Sequence, residues 1–155
     1  MPPPLSEDKP MFTQLLLGTF MIGATVVFHA FAFDFIIKKV RWLEDSVLRN
    51  IRRIWKALLL AIVVLAVFVA LVIEMWAWCG LFYGLGAFPD LEQSLYYSIA
   101  TFTTAGYGDV IPTDNWRLLG SIASANGFLL FGWSTAFIFE ITATIYRREA
   151  KKIET

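Results

Sequence analysis

Three long apolar runs organise the chain. The first extends from Met11 to Ile37, interrupted by His29 and Asp34. The second begins at Ala57 and runs to about Cys79, interrupted by Glu74. The third runs from about Leu118 to Tyr146, interrupted by Asn126 and Glu140. A hydrocarbon layer ~30 Å thick is crossed by about 20 residues rising ~1.5 Å each. Each run therefore predicts a membrane-spanning segment. Lipid offers no hydrogen-bond partner to an open backbone, so the spans are helices.

The pattern changes between the second and third runs. Gly80, Gly84 and Gly86 lead to Pro89, which reads as a turn-rich linker. Asp90 then offers a helix cap, with Glu92 in the first turn. Leu91 to Thr103 contains no Gly or Pro. Such a segment makes ~20 Å of helix, too short to cross. A helix that enters the membrane without crossing it is re-entrant. Between the first and second runs, Val40, Leu43, Val47, Ile51 and Ile54 recur at helical spacing among charges. This predicts a basic amphipathic helix over 38–56 at the interface, with Trp42 and Trp55 in the aromatic belt. Arg49, Arg52 and Lys56 also share the spacing of a voltage-sensing helix. They precede a span instead of lying within one, so anchoring is the preferred reading.

Composition agrees with a membrane protein. The chain of 155 residues is 57% hydrophobic and 17% charged, against roughly 25% charged for a soluble domain. Mean hydropathy is +0.62. Disorder, a disulfide scaffold and a basic nucleic-acid binder are excluded. A single Cys and a single His leave no metal-ligand cluster, and no catalytic motif is present. No enzyme is expected. His29 reads as a neutral packed side chain or a pH sensor. Asp34 and Lys38 stand four apart in the order that favours a local ion pair.

The zero net charge conceals a strong asymmetry. Seven basic residues stand against Glu44 and Asp45 in 38–56, and four against Glu149 and Glu154 from Arg147 onward. The stretch 80–116 holds Asp90, Glu92, Asp109 and Asp114 with no Lys or Arg. The positive-inside rule places the basic segments in the cytoplasm, and the N-terminus and 80–116 outside. Ala30-Phe31-Ala32 has the form of a signal cleavage site. The residues before the run (Glu7, Asp8, Lys9) are net negative and the run is long, so an uncleaved span is expected.

Thr104-Ala105-Gly106-Tyr107-Gly108-Asp109 resembles the potassium-channel selectivity filter, whose common form is Thr-Val-Gly-Tyr-Gly-Asp. The surrounding order has the family's arrangement: outer helix 57–79, turret 80–90, pore helix 91–103, filter 104–109 and inner helix 117–146. The first helix, 11–37, is additional; segment 1–10 precedes it and tail 147–155 follows the pore unit. The resemblance implies an all-α membrane protein of three transmembrane helices with a re-entrant pore helix, assembled as a homotetramer. It implies passive K+ conduction across a plasma membrane (the inner membrane in a bacterium). K+ would bind at Thr104, Ala105, Gly106 and Tyr107, with Gly108 completing the filter. No other cofactor is implied. The expected partners are K+, the lipid bilayer, anionic lipid at 38–56 and copies of the same chain, and no nucleic acid. A weakly selective cation channel and a non-conducting subunit of a larger channel are the alternatives.

The resemblance also assigns side chains. Filter carbonyls must face an axis through alternating left- and right-handed residues, which Gly106 and Gly108 tolerate. Ala105 replaces the usual Val or Ile, and Phe102 is a candidate to fill the space behind it. Asp109 sits at the outer mouth. Tyr96 and Tyr97 occupy the place of paired aromatics behind the filter. Ala100 replaces a Glu that pairs with the mouth Asp in many relatives, which leaves Tyr97 as the expected partner of Asp109. Glu74 is read as a brace towards backbone N–H groups near the filter. Gly127 falls at an inner-helix hinge. Phe128, Phe131, Thr135, Phe139 and Ala143 fall on the pore side, where the phenylalanines form a constriction or pack against helices. Glu140 forms an inner acidic ring or pairs with Arg49, Arg52 or Arg53.

Overall fold

The computed structural model describes residues 11–46 and 55–153. Four helices account for most of them: α1 (Met11–Ser46), α2 (Trp55–Gly84), α3 (Leu91–Phe102) and α4 (Arg117–Ile153), the last preceded by a 3-10 turn over Asp114–Trp116. There is no β-sheet strand among the described residues, and the extended segment 104–108 pairs with no other strand. Met11–Trp42, Trp55–Gly84 and Asp114–Arg147 are long and apolar enough to cross a membrane. This is an all-α membrane protein with three spanning helices and one short helix between the second and third.

The helix ends follow local chemistry. α1 continues past Ile37 to Ser46, so the start of the expected interfacial helix is an extension of the first span. Nothing in 38–46 breaks a helix, and side chains bridge its turns. Lys38 pairs with Asp34 four residues earlier, and the Lys39 ammonium lies 5.5 Å from the Phe35 ring and 5.8 Å from Trp42. Val47, Arg49, Ile51, Arg52, Arg53 and Ile54 lie outside the described residues. α2 continues through Gly80 and stops where Gly86 adopts φ 64°. The Gly86 and Ala87 amides donate to the Tyr83 and Phe82 carbonyls, both at 3.0 Å. That is the Schellman pattern, which satisfies the last carbonyls of a helix. α3 starts as expected at Asp90, whose carboxylate accepts from the Gln93 amide at 2.8 Å.

The chain divides into two compact units, residues 1–26 with 73–129 and residues 27–72 with 130–155. In the first, aromatic rings join α2 to α3. Tyr97 meets Phe82 edge-on at 5.2 Å and Phe88 at 4.8 Å. Here α1 also packs on α4. The Leu119 amide donates to Gln14 Oε1 at 3.2 Å, and Asn126 Nδ2 donates to Thr25 Oγ1 at 2.8 Å. Leu119 lies in the first turn of α4, where amides lack intrahelical partners, so Gln14 acts as a cap supplied by another helix. In the second unit Phe33 stacks on Phe137 at 3.9 Å, and the His29 ring nitrogen Nε2 and the Ser134 hydroxyl share a hydrogen bond of 3.1 Å. Along α1, Gln14, Thr25 and His29 are buried while Phe12, Phe20, Phe31 and Phe35 are exposed. Polar side chains turned inward and large apolar ones outward suit a helix whose solvent is lipid.

Candidate functional site

The functional loop begins at the end of α3. Thr103 closes the helix in right-handed conformation (φ −78°, ψ −1°). From there the sign of φ alternates. Thr104, Gly106 and Gly108 have φ 61°, 52° and 77°, while Ala105 and Tyr107 between them stay negative. Alternation of right- and left-handed residues turns successive N–H groups to one side of the strand. Their carbonyls are thereby directed to the other. The two glycines meet this requirement without a Cβ penalty. Thr104 does not, and a β-branched residue at positive φ stores roughly 1–3 kcal/mol of strain. The glycine spacing indicates alternation at 106 and 108, but no residue type announces that it begins at Thr104.

The strand is tied back to its own helix. The Thr103 amide donates to Ile99 O at 2.9 Å, the Thr104 amide to Thr101 O at 2.9 Å, and the Gly106 amide to Ala100 O at 3.0 Å. These bonds occupy carbonyls of the last turn of α3, which would otherwise lack partners. They fix the inner part of the strand against the helix end. Thr104, Ala105, Gly106, Tyr107 and Gly108 are all exposed on the single chain, Tyr107 at 75%. Phe102 is fully buried while Ala105 is exposed.

The outer end is held by Tyr96, whose hydroxyl donates to Asp109 Oδ2 at 2.7 Å. This corrects the expectation for Tyr97. Adjacent residues of a helix point about 100° apart, and α3 is rotated so that Tyr96 faces the strand. Tyr97 instead enters the aromatic cluster with Phe82 and Phe88. Its hydroxyl lies over Gly120 of α4, in the space a Cβ would need. The Tyr96 bond holds the Asp109 carboxyl below the usual carboxylate range. Partial desolvation opposes the shift, and the Asp109 and Val110 amides reinforce it. The same bond pushes the Tyr96 phenol up.

Behind the strand, α4 closes on α3 at Gly127. A Cβ there would collide with the Phe102 carbonyl oxygen, so the position requires glycine for close backbone approach. α4 is continuous through Gly127. Glu74 is buried at 1% exposure, within the unit that contains α3 and the strand.

Along α4, Phe128 and Phe139 are exposed at 75% and 73%, and Thr135 is exposed between them. Phe131 and Ala143 are half-buried. Phe128, Thr135 and Phe139 therefore share one open stripe, with Phe131 at its flank. Glu140 is exposed, with Arg147 Nη2 at 3.8 Å and the Thr144 hydroxyl donating to it at 3.2 Å. Among the described residues its ion-pair partner comes from its own helix. Arg49, Arg52 and Arg53, its expected partners, lie outside the described residues.

Three spanning helices with a re-entrant helix and a sign-alternating strand between the last two define a pore-loop membrane protein. A sequence model of the ion channel family matches residues 57–144, more than half of the chain, and the chain belongs to that family. It is thus a transport protein of the membrane. The chain is similar to the A-type voltage-gated potassium channel KCND3 of Rattus norvegicus, Oryctolagus cuniculus and Homo sapiens. Identity with each is 34% over 65 residues, which cover 41% of this chain and 10% of the relative. The chain therefore matches about a tenth of the length of these curated relatives. No solved structure matches it.

Proposed function

We propose that this chain forms a potassium-selective channel as a homotetramer, with the strand 104–108 of each copy facing a common axis. The observation that carries this reading is the alternation of φ at Thr104, Gly106 and Gly108. Rings of carbonyl oxygens from such strands replace the hydration shell of K+. K+ binds between rings formed at Thr104, Ala105, Gly106 and Tyr107, and the Thr104 hydroxyl adds an inner ring. Asp109 concentrates cations at the outer mouth. The open stripe of Phe128, Thr135 and Phe139 lines the inner pathway.

The N-terminus lies outside and the C-terminus in the cytoplasm, following the basic segments of the sequence. The membrane is the plasma membrane, or the inner membrane in a bacterium, and the 38–56 segment lies against its anionic leaflet. Flux from liposomes holding the purified chain tests the reading. K+ flux that Ba2+ blocks, carried by a cross-linkable tetramer, is expected. Tetramers without flux would instead identify a non-conducting subunit. A weakly selective cation channel is the second reading, favoured by Ala105, because its side chain has two methyl groups fewer than Val to pack the filter from behind.

A further inference from the structure

Within one compact unit, α1 lies along the C-terminal part of α4, and one ring of α1 joins three others. Phe33, buried at 6% exposure, stacks on Phe137 at 3.9 Å with the ring planes 8° apart. It also meets Trp133 at 5.3 Å and His29 at 4.4 Å, both edge-on. One turn earlier on each helix, His29 shares its hydrogen bond with Ser134. One turn later, Ile37 and Val40 of α1 line the same groove as Ile141 and Ile145 of α4.

These contacts fix which way α4 is turned. Successive residues of an α-helix are rotated by ~100°. Ser134, Phe137, Ile141 and Ile145 therefore fall on one side of α4, within roughly 80° of each other. Thr135 and Phe139 stand two residues either side of Phe137, so each points ~160° away from it. With Phe137 turned to α1, both fall on the far side, where both are exposed. Lipid does not select a face of α4, because acyl tails solvate any apolar side chain alike. The rotation is set by specific contacts, and a stacked aromatic pair stabilises one orientation beyond what burial contributes.

We propose that Phe33 is a positioning residue for the inner pathway: its stack on Phe137 holds α4 turned so that Phe139 faces that pathway. The proposal rests on the reading that the stripe of Thr135 and Phe139 lines the pathway. It gives the first span, which lies outside the residues matched by the family, a part in shaping the pore.

The test uses the full chain in liposomes, carrying either Phe139→Cys or Ile138→Cys. The two positions differ by ~100° of rotation on α4, and Ile138 is half-buried where Phe139 is exposed. A membrane-impermeant cationic thiol reagent is applied and labelling is followed by mass spectrometry, with buried Cys79 as the reference thiol. The Phe139→Cys thiol should react readily and the Ile138→Cys thiol slowly. Adding Phe33→Leu, which keeps bulk and removes the ring, should speed labelling at 138 about fivefold without speeding it at 139, the shift that one aromatic pair supports. Phe33→Tyr keeps the ring and should leave both rates as they were. Rates unmoved by Phe33→Leu would overturn the proposal. So would acceleration at both positions, the mark of a looser bundle without rotation, or Phe33→Tyr acting as Phe33→Leu does. An unreactive Phe139→Cys thiol in the presence of Phe33 would overturn it as well. K+ flux is recorded from the same liposomes: the expected labelling without flux would reject the channel reading and leave the role of Phe33 standing.

Discussion

The Tyr96 hydroxyl donates to Asp109 Oδ2 at 2.7 Å and so joins the second turn of α3 to the outer end of the strand. It is the bond that keeps the Asp109 carboxyl below its ordinary value of 3.8. A carboxyl lowered by folding contributes stability that is fully present above that ordinary value. The contribution is lost as pH falls through the lowered one. Outside pH from neutral to about 5 should therefore leave the mouth charge intact. Tyr96→Phe should move the Asp109 titration up towards the ordinary value, with conductance starting to fall at a less acid pH. Carboxyl chemical shifts of labelled Asp109 measure the change, and an unmoved midpoint would show that the bond does not control the charge.

Gly106 carries φ 52°, and apart from its two chain neighbours no residue comes within 4 Å of where a Cβ would stand. The cost of Gly106→Ala is thus conformational, roughly 1–2 kcal/mol per chain. The substitution should remove K+ flux while circular dichroism keeps its helical amplitude. Retained flux would mean that the strand does not need the left-handed residue.

At Gly127 the obstacle is steric. Gly127→Ala drives a methyl group into the Phe102 carbonyl and should destabilise the fold by about 1–3 kcal/mol, as overpacking does. Because Phe102 is the last residue of α3, flux should fall together with thermal stability. A variant with lost flux at full stability would favour the hinge reading of this glycine over packing.

Thr25 and Asn126 fasten the first span to the inner helix. Thr25→Val removes the acceptor and should cost about 1 kcal/mol, the scale of interhelical hydrogen bonds in membranes. A double change with Asn126→Leu should cost less than the sum of the two single changes, because the pair is then absent as a unit. Thermal melts in detergent provide the cycle. Additive costs would show that the two side chains act independently.

Much of the architecture was legible in the sequence because it depends on lengths and breakers. The spans follow from run length against bilayer thickness, and α3 from a Gly/Pro-free stretch behind an Asp cap. The glycine pattern gave left-handed residues at 106 and 108. Quantities of rotation were not legible. Tyr96 and Tyr97 are adjacent, and which of them faces Asp109 depends on a turn of α3 set by the packing of Tyr97 against Phe82, Phe88 and Gly120. Gln14, Thr25, His29, Asn126 and Ser134 announce only that polar groups within spans need partners. Their pairing required the register of α1 on α4. The positive φ of Thr104 left no trace in residue type, because threonine there is sustained by the bonds from Thr104 to Thr101 and from Gly106 to Ala100.

The most direct measurement is the reversal potential of the purified protein in a planar bilayer, with K+ on one side and Na+ on the other. A potential displaced strongly towards the K+ equilibrium value is predicted, carried by the carbonyl rings at Thr104 to Tyr107. A value near zero with clear channel currents would contradict potassium selectivity and assign the chain to the weakly selective cation channels.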